Sequence, residues 1–62
     1  MPVIKIDMWE GHDTETKRKL IQAVSNAVSE TLSIPNEWVQ IIITDVSKDN
    51  WGLKGDQASQ IV

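Results

Sequence analysis

The sequence predicts an α+β fold in which a single β-α-β unit with parallel strands is followed by a short C-terminal hairpin. Three observations support this prediction: an alternating strand pattern near the amino terminus, an amphipathic helix pattern, and a second strand rich in β-branched residues. A helix between two strands is the usual connection of a parallel pair, and that crossover is right-handed. The whole chain, residues 1–62, is predicted to form one domain.

The first strand is predicted directly after Met1 and Pro2. Ile4, Ile6 and Met8 alternate with polar or aromatic residues, which is the period of two expected for a strand with one buried face. A terminus that enters a strand at once is held in place instead of fraying. Pro2 is therefore expected to occupy a fixed position.

The helix is predicted from Thr14 to about Leu32. Asp13 is suited to cap its amino terminus, and Pro35 disfavours helical geometry at the preceding residue, so the helix should end near Leu32 or Ser33. Apolar or weakly polar residues at spacings of three and four form one stripe along this helix. They are Leu20, Ile21, Val24, Ala27, Val28, Thr31 and Leu32.

The second strand is predicted over residues 38–45, and it is apolar on both faces from 41 to 43. This pattern is typical of a strand covered on both sides. One helix can cover only one face of a two-stranded sheet, so we expect another subunit on the other face. Residues 46–56 contain two glycines and predict a loop and a short hairpin.

The composition predicts self-association. A domain of this length buries only about 60% of the surface that its unfolded chain exposes, and it therefore needs further support. The chain has no cysteine and one histidine, which argues against disulfides and a structural zinc site. A homo-oligomer is the remaining expectation.

The charge and hydropathy of the chain disfavour two classes of partner. The formal net charge of -3 and the pI of about 4.8 argue against nucleic acid, whose phosphates require a basic surface. No apolar run reaches the roughly 20 residues of a membrane span, and the amino terminus lacks signal-peptide features. We therefore expect a cytoplasmic protein without a membrane partner.

Pro2 is the candidate catalytic residue. Removal of an initiator Met is favoured when the next residue is small, so the mature chain is expected to begin with Pro2. An internal proline nitrogen is an amide without a proton to give, whereas a terminal secondary amine can act as a base, an acid or a nucleophile. An ordinary α-amino group titrates near pH 7.7 to 8.0. Burial in an apolar pocket lowers this pKa towards neutrality, where general-base catalysis is most effective.

Several features together resemble the 4-oxalocrotonate tautomerase family over the whole chain. They are Pro2 before a strand, the Glu10-Gly11 turn, the β-α-β order and the closing segment Asn50-Trp51-Gly52-Leu53-Lys54-Gly55. The resemblance implies an assembly of small subunits, most often a hexamer arranged as a trimer of dimers, with active sites at subunit boundaries. It also implies that Pro2 moves a proton between oxygen and carbon positions of a 2-hydroxymuconate-like dienol and its conjugated ketone, without a metal or an organic cofactor.

The resemblance marks three further positions as substrate-binding: His12, Gln40 and Trp51. Trp51 corresponds to the family's aromatic residue in the closing loop and would wall the pocket around Pro2. His12 and Gln40 correspond to two arginines that hold the substrate carboxylates and polarise its carbonyl group. Arginine carries a permanent charge and a planar fork that suits carboxylates, whereas histidine is mostly neutral at pH 7 and glutamine donates only neutral hydrogen bonds.

These two replacements predict weak activity on dicarboxylates. A hydrogen bond to a charged group contributes about 1.5 to 3 kcal/mol, against about 1 kcal/mol for a neutral one. Loss of two such contacts lowers the rate by a few orders of magnitude. The expected substrate is a small unsaturated or 2-keto acid with fewer carboxylates.

Two alternatives to a proline base remain open at this stage. A protonated Pro2 could act as an acid, as in the hydratase and dehalogenase relatives, or the chain could be a non-catalytic oligomeric binding or scaffold protein with the same fold. Among the other residues, Trp9 and Trp38 are expected in an interface or in the core. Residues 17–19, Lys-Arg-Lys, are expected on a solvated helix face.

Overall fold

Two parallel strands and the helix that connects them form the body of the chain, in a computed structural model that describes residues 1–62. Strand β1 (Val3–Trp9) pairs with β2 (Gln40–Val46), and the register runs from Val3 opposite Gln40 to Trp9 opposite Val46. Helix α1 (Thr14–Leu32) lies between them in the chain. The predicted β-α-β unit with parallel strands is therefore confirmed.

Both ends of α1 agree with the prediction. The Asp13 carboxylate accepts a hydrogen bond from the Thr16 backbone N–H at 2.8 Å, which caps the amino terminus. At the other end Ser33 adopts a left-handed conformation with φ of 55°, and its N–H donates to the carbonyl of Ser29. The Ser29 hydroxyl donates in turn to the Ile34 carbonyl at 2.6 Å, which holds the chain as it leaves the helix.

The Asp13 cap predicts a small acid-dependent loss of stability. Hydrogen bonds from Thr16, the side-chain one first and the backbone one second, lower the pKa of Asp13 from its ordinary value of 3.8. Because the folded-state pKa is the lower one, the cap stabilises the fold above the unfolded-state pKa and is lost as the pH falls through the folded-state value. Asp13→Asn keeps an uncharged acceptor, so its urea midpoint should fall less than that of the wild type between about pH 5 and about pH 3. Equal falls for the two proteins would contradict this role of the carboxylate.

Strand β2 begins later than predicted, at Gln40 instead of Trp38, and ends one residue later. Residues Asn36–Trp38 form a 3-10 turn. The reason is a set of contacts with α1: the Asn36 side chain accepts a hydrogen bond from the Ser25 hydroxyl and donates to the Asn26 side chain at 2.6 Å. The chain becomes a strand only beyond the residues held by these contacts, at Gln40.

The remaining residues form a hairpin, which was predicted, and a short helix, which was not. The elements are a second 3-10 turn Lys48–Asn50, the antiparallel strands β3 (Gly52–Leu53) and β4 (Asp56–Gln57), and helix α2 (Ala58–Ile61). The hairpin turn consists of Lys54 and Gly55, which have positive φ values of 56° and 81°. Two successive positive φ values are typical of the tight two-residue turns that join antiparallel strands. We call residues 47–62 the C-terminal arm.

The two faces of the parallel sheet differ in coverage. Ile4 pairs with Ile41 and Ile6 with Ile43, and all four are half-buried on the face that α1 covers. Ile42 points to the opposite side, which we call the outer face, and it is 50% exposed. The single helix therefore leaves the outer face open in one chain, as the sequence predicted.

One chain contains very little core. Only Ala58 and Ser25 are buried among the 62 residues. The radius of gyration is 14.4 Å, whereas a compact domain of this length has a radius of about 11 Å. The buried stripe of α1 is also narrower than predicted, because Ile21 and Leu32 are 38% and 55% exposed. A single chain thus leaves much of its apolar surface in contact with water.

Candidate functional site

Pro2 and Gln40 lie together at the edge of the sheet where both parallel strands begin, which we call the amino edge. The Pro2 carbonyl accepts a hydrogen bond from the Gln40 backbone N–H at 3.1 Å. Pro2 is half-buried, while Met1 before it is 80% exposed. Loss of Met1 would therefore remove no packed side chain, and the hydrogen bond would still hold Pro2 against β2.

A cluster of three half-buried side chains lies at the opposite edge, the carboxyl edge, where β1 and β2 end. The Trp9 and Trp51 rings meet edge to face, with centroids 6.0 Å apart and an interplanar angle of 78°. The Lys48 ammonium lies 4.7 Å from the centroid of the Trp9 ring. We call Trp9, Lys48 and Trp51 the tryptophan cluster. Since Trp9 belongs to the sheet and the other two to the C-terminal arm, the cluster joins the arm to the sheet.

His12 also lies at the carboxyl edge. The Glu10 N–H donates to the Val46 carbonyl at 3.1 Å, so the turn starts where β1 leaves the sheet. Gly11 has a φ of 119°, a conformation that glycine adopts far more readily than other residues. This turn places His12 on the surface, and its side chain is exposed.

One chain does not bring the four predicted site residues together. Pro2 and Gln40 lie at the amino edge, whereas His12 and Trp51 lie at the carboxyl edge. β1 alone has seven residues, and at about 3.3 Å per residue the two edges are roughly 20 Å apart. A single site that contains all four residues therefore requires more than one chain.

The other predictions for aromatic and charged residues have mixed outcomes. Trp9 packs against Trp51, and Trp38 is 50% exposed in the single chain. Arg18 remains on the exposed side of α1, where its guanidinium lies 3.5 Å from the Glu15 carboxylate. Lys17 differs from the prediction, because it is half-buried and forms an ion pair with Asp45 of β2 instead of facing solvent alone.

The sequence pattern alone does not mark Lys48 as a site residue. Its signal is the spacing of three residues to Trp51, which aligns two side chains along a 3-10 turn. That signal could be used only if the turn itself had been predicted. In addition, no group of three or more His, Asp or Glu side chains is placed to hold a metal ion, and no helix is long and apolar enough to cross a membrane.

Comparisons with known proteins agree with this architecture. The model of a family described as tautomerase enzymes matches residues 2–60. A 2-hydroxymuconate tautomerase of Pseudomonas putida is 39% identical over 61 residues, which cover 98% of this chain and 97% of the relative. A 2-hydroxymuconate tautomerase of Comamonas testosteroni is 38% identical over 61 residues, with the same coverage of both chains.

Solved structures show the same fold. A 4-oxalocrotonate tautomerase isozyme from Methylibium petroleiphilum superposes with a TM-score of 0.92 at 38% identity, covering 97% of each chain. A heterohexameric 4-oxalocrotonate tautomerase from Chloroflexus aurantiacus superposes with a TM-score of 0.93 at 31% identity, covering 100% of each chain. These similarities extend over nearly the whole chain, and they confirm the resemblance found in the sequence. The chain belongs to the tautomerase enzyme family and, within it, to the 4-oxalocrotonate tautomerase type.

Proposed function

We propose that this tautomerase works in the cytoplasm as an isomerase that uses Pro2, freed by removal of Met1, for keto-enol tautomerisation of a small unsaturated or 2-keto acid. The observation that carries the proposal is the hydrogen bond of 3.1 Å from the Gln40 N–H to the Pro2 carbonyl. This contact holds Pro2 at the amino edge beside the exposed Gln40 side chain. Such positioning is what a proton-transfer group requires.

The proposed reaction requires one amine, and it leaves the number of protons on the substrate and on the amine unchanged. The neutral Pro2 nitrogen takes the hydroxyl proton of the enol substrate, and the O–H electron pair forms the carbonyl bond. The electrons of the conjugated double bonds shift along the chain, and the protonated amine returns its proton to a carbon atom. The Gln40 side-chain amide donates a hydrogen bond to the oxygen on which negative charge develops.

The proposed site lies between chains. Two copies that meet through their outer faces with antiparallel strands would place the amino edge of one sheet beside the carboxyl edge of the other. Pro2 and Gln40 of one chain would then face His12 and Trp51 of its neighbour, and Trp51 would exclude water from the amine. The exposed Ile42 on the outer face supports such a contact. We propose a homohexamer built as a trimer of dimers, by analogy with the heterohexameric relative.

The proposed substrate has fewer carboxylates than 2-hydroxymuconate, the compound for which the Pseudomonas putida relative is named. Gln40 is uncharged, and His12 is exposed on a surface turn. Neither side chain offers the permanent charge and the bidentate fork with which arginine holds a carboxylate. A substrate with one carboxylate loses less from this difference than one with two.

Intact mass and an ultraviolet assay test the proposal. The protein is expressed without a tag, its intact mass is measured by mass spectrometry, and it is assayed for ketonisation of 2-hydroxymuconate and phenylenolpyruvate. A mass that lacks Met1 together with ketonisation of either compound would support the proposal. A retained Met1 with full activity would contradict the role of the amine, and a free Pro2 without turnover would contradict the substrate class.

Arginine substitutions at positions 12 and 40 should shift the preference towards dicarboxylates. In the double variant H12R/Q40R, each guanidinium can replace a neutral contact with a charge-assisted one. We expect kcat/KM for 2-hydroxymuconate to rise about tenfold or more, and that for phenylenolpyruvate, which has one carboxylate, to rise less. The control Q22R adds one guanidinium, half the number in the double variant, on the exposed side of α1. Equal gains on both substrates, or an equal gain in the control, would argue against these positions as carboxylate contacts.

A further inference from the structure

We propose that Lys48 binds the carboxylate of the substrate and supplies a positive charge at the carboxyl edge. This inference rests on the proposed function, because it places the substrate between the amino edge of one chain and the carboxyl edge of another. The ligand class that follows is a planar unsaturated carboxylate. Lys48 is the only member of the tryptophan cluster that carries a charge.

Lys48 has no counter-ion. Lys17 pairs with Asp45 and Arg18 with Glu15, whereas Lys48 forms no ion pair. Its side chain is nevertheless half-buried, unlike the exposed Lys54 on the hairpin turn. A cation that is partly removed from water and has no acidic partner is a favourable place for a ligand carboxylate.

The protein also holds Lys48 in place before any ligand binds. The Asp49 N–H donates to the Ser47 hydroxyl at 3.2 Å, and the Asn50 N–H donates to the Ser47 carbonyl at 2.9 Å. These bonds close the 3-10 turn around Lys48, and the face of Trp9 then receives the ammonium at 4.7 Å. A long side chain that is already ordered loses less entropy when it binds an anion.

The side chains next to Lys48 suit a conjugated ligand. The ammonium lies against the Trp9 ring, and Trp51 meets that ring with centroids 6.0 Å apart. A flat conjugated chain can lie against an aromatic ring while its carboxylate reaches the ammonium. His12 leaves the same edge through the turn after β1, so Lys48 and His12 lie at one edge of the sheet.

The test is the affinity for sorbate, a conjugated acid with one carboxylate and no enol group to react. Binding to the assembled protein is measured by titration calorimetry for the wild type, K48M, K48Q, K48R and K54M. We expect K48M and K48Q to weaken binding about tenfold or more, K48R to retain most of the affinity, and K54M to bind as the wild type does. Circular dichroism and sedimentation establish which variants are folded and assembled. If either K48M or K48Q fails to fold or assemble, the other neutral variant still provides the test.

The outcomes separate this inference from the proposed reaction. Unchanged affinity in the folded neutral variants, an equal loss in K54M, or no sorbate binding by the wild type at millimolar concentration would each overturn the role of Lys48. A wild type that binds sorbate through Lys48 but turns over neither enol substrate would support the inference and contradict the proposed reaction. If the wild type and K48M both turn over phenylenolpyruvate with the same KM, the inference is overturned and the proposed reaction is unaffected.

Discussion

A protein whose Pro2 nitrogen is blocked by an N-terminal extension should lose ketonisation activity by about two to four orders of magnitude. In that protein the Pro2 nitrogen is an amide, which has no proton to give and no basic lone pair. Pro2→Ala should lose less, because a terminal alanine still offers a primary amine, although a less rigid one. The measurement is the decay of 2-hydroxymuconate or phenylenolpyruvate absorbance at equal concentrations of assembled protein.

The matched control carries the same extension after Val62, far from Pro2 in the chain. Its mass should lack Met1, and its activity should equal that of the untagged protein. Sedimentation of the two tagged forms tests whether the N-terminal extension has disturbed the assembly. An N-terminally extended protein that is assembled and fully active would refute the mechanism, since no free Pro2 amine exists in it.

The second large effect is expected from a charge on the outer face of the sheet. Ile42→Asp should dissociate the assembly and unfold the chain at micromolar concentration. Only two residues of the single chain are buried, so its folding depends on surfaces that a neighbour covers. An unpaired charge in such an interface costs about 3 to 5 kcal/mol, which is a large part of the stability of a small protein. Sedimentation and circular dichroism, measured over a range of protein concentrations, report both losses.

Ile42→Val is the control because it keeps an apolar β-branched residue in the strand. It should assemble as the wild type does, and the unfolding midpoint of both proteins should rise with protein concentration, as expected when association stabilises the folded state. A homohexamer should sediment as a particle of about six chains of 7.0 kDa each. An Ile42→Asp protein that remains assembled would show that the outer face is not part of the assembly, and one that remains folded as a single chain would show that folding does not depend on the neighbour.

The elements that the sequence predicted well are those whose signals are local. The bounds of α1 depend on Asp13 at one end and on Pro35 just beyond the other, and the pattern of β1 repeats every two residues. The start of β2 was predicted too early because Asn36 bonds to Ser25 and Asn26, about ten residues earlier in the chain. A single sequence does not show such a contact. The contact outweighs the strand propensity of Trp38 and Val39.

The candidate site shows the same division. The residue types available at the candidate site follow from the sequence alone: a proline at position 2, a histidine at position 12, a glutamine at position 40 and a tryptophan in the closing loop. The sequence also determined the family, because the order of these features along the chain is preserved. Only the tertiary structure decided that Pro2 and Gln40 share one edge of the sheet while His12 lies at the other. The physical reason is the register of two parallel strands, which places the starts of both strands together and their ends roughly 20 Å away. The position of Lys48 over Trp9 was likewise decided by packing between the arm and the sheet, residues far apart in the chain.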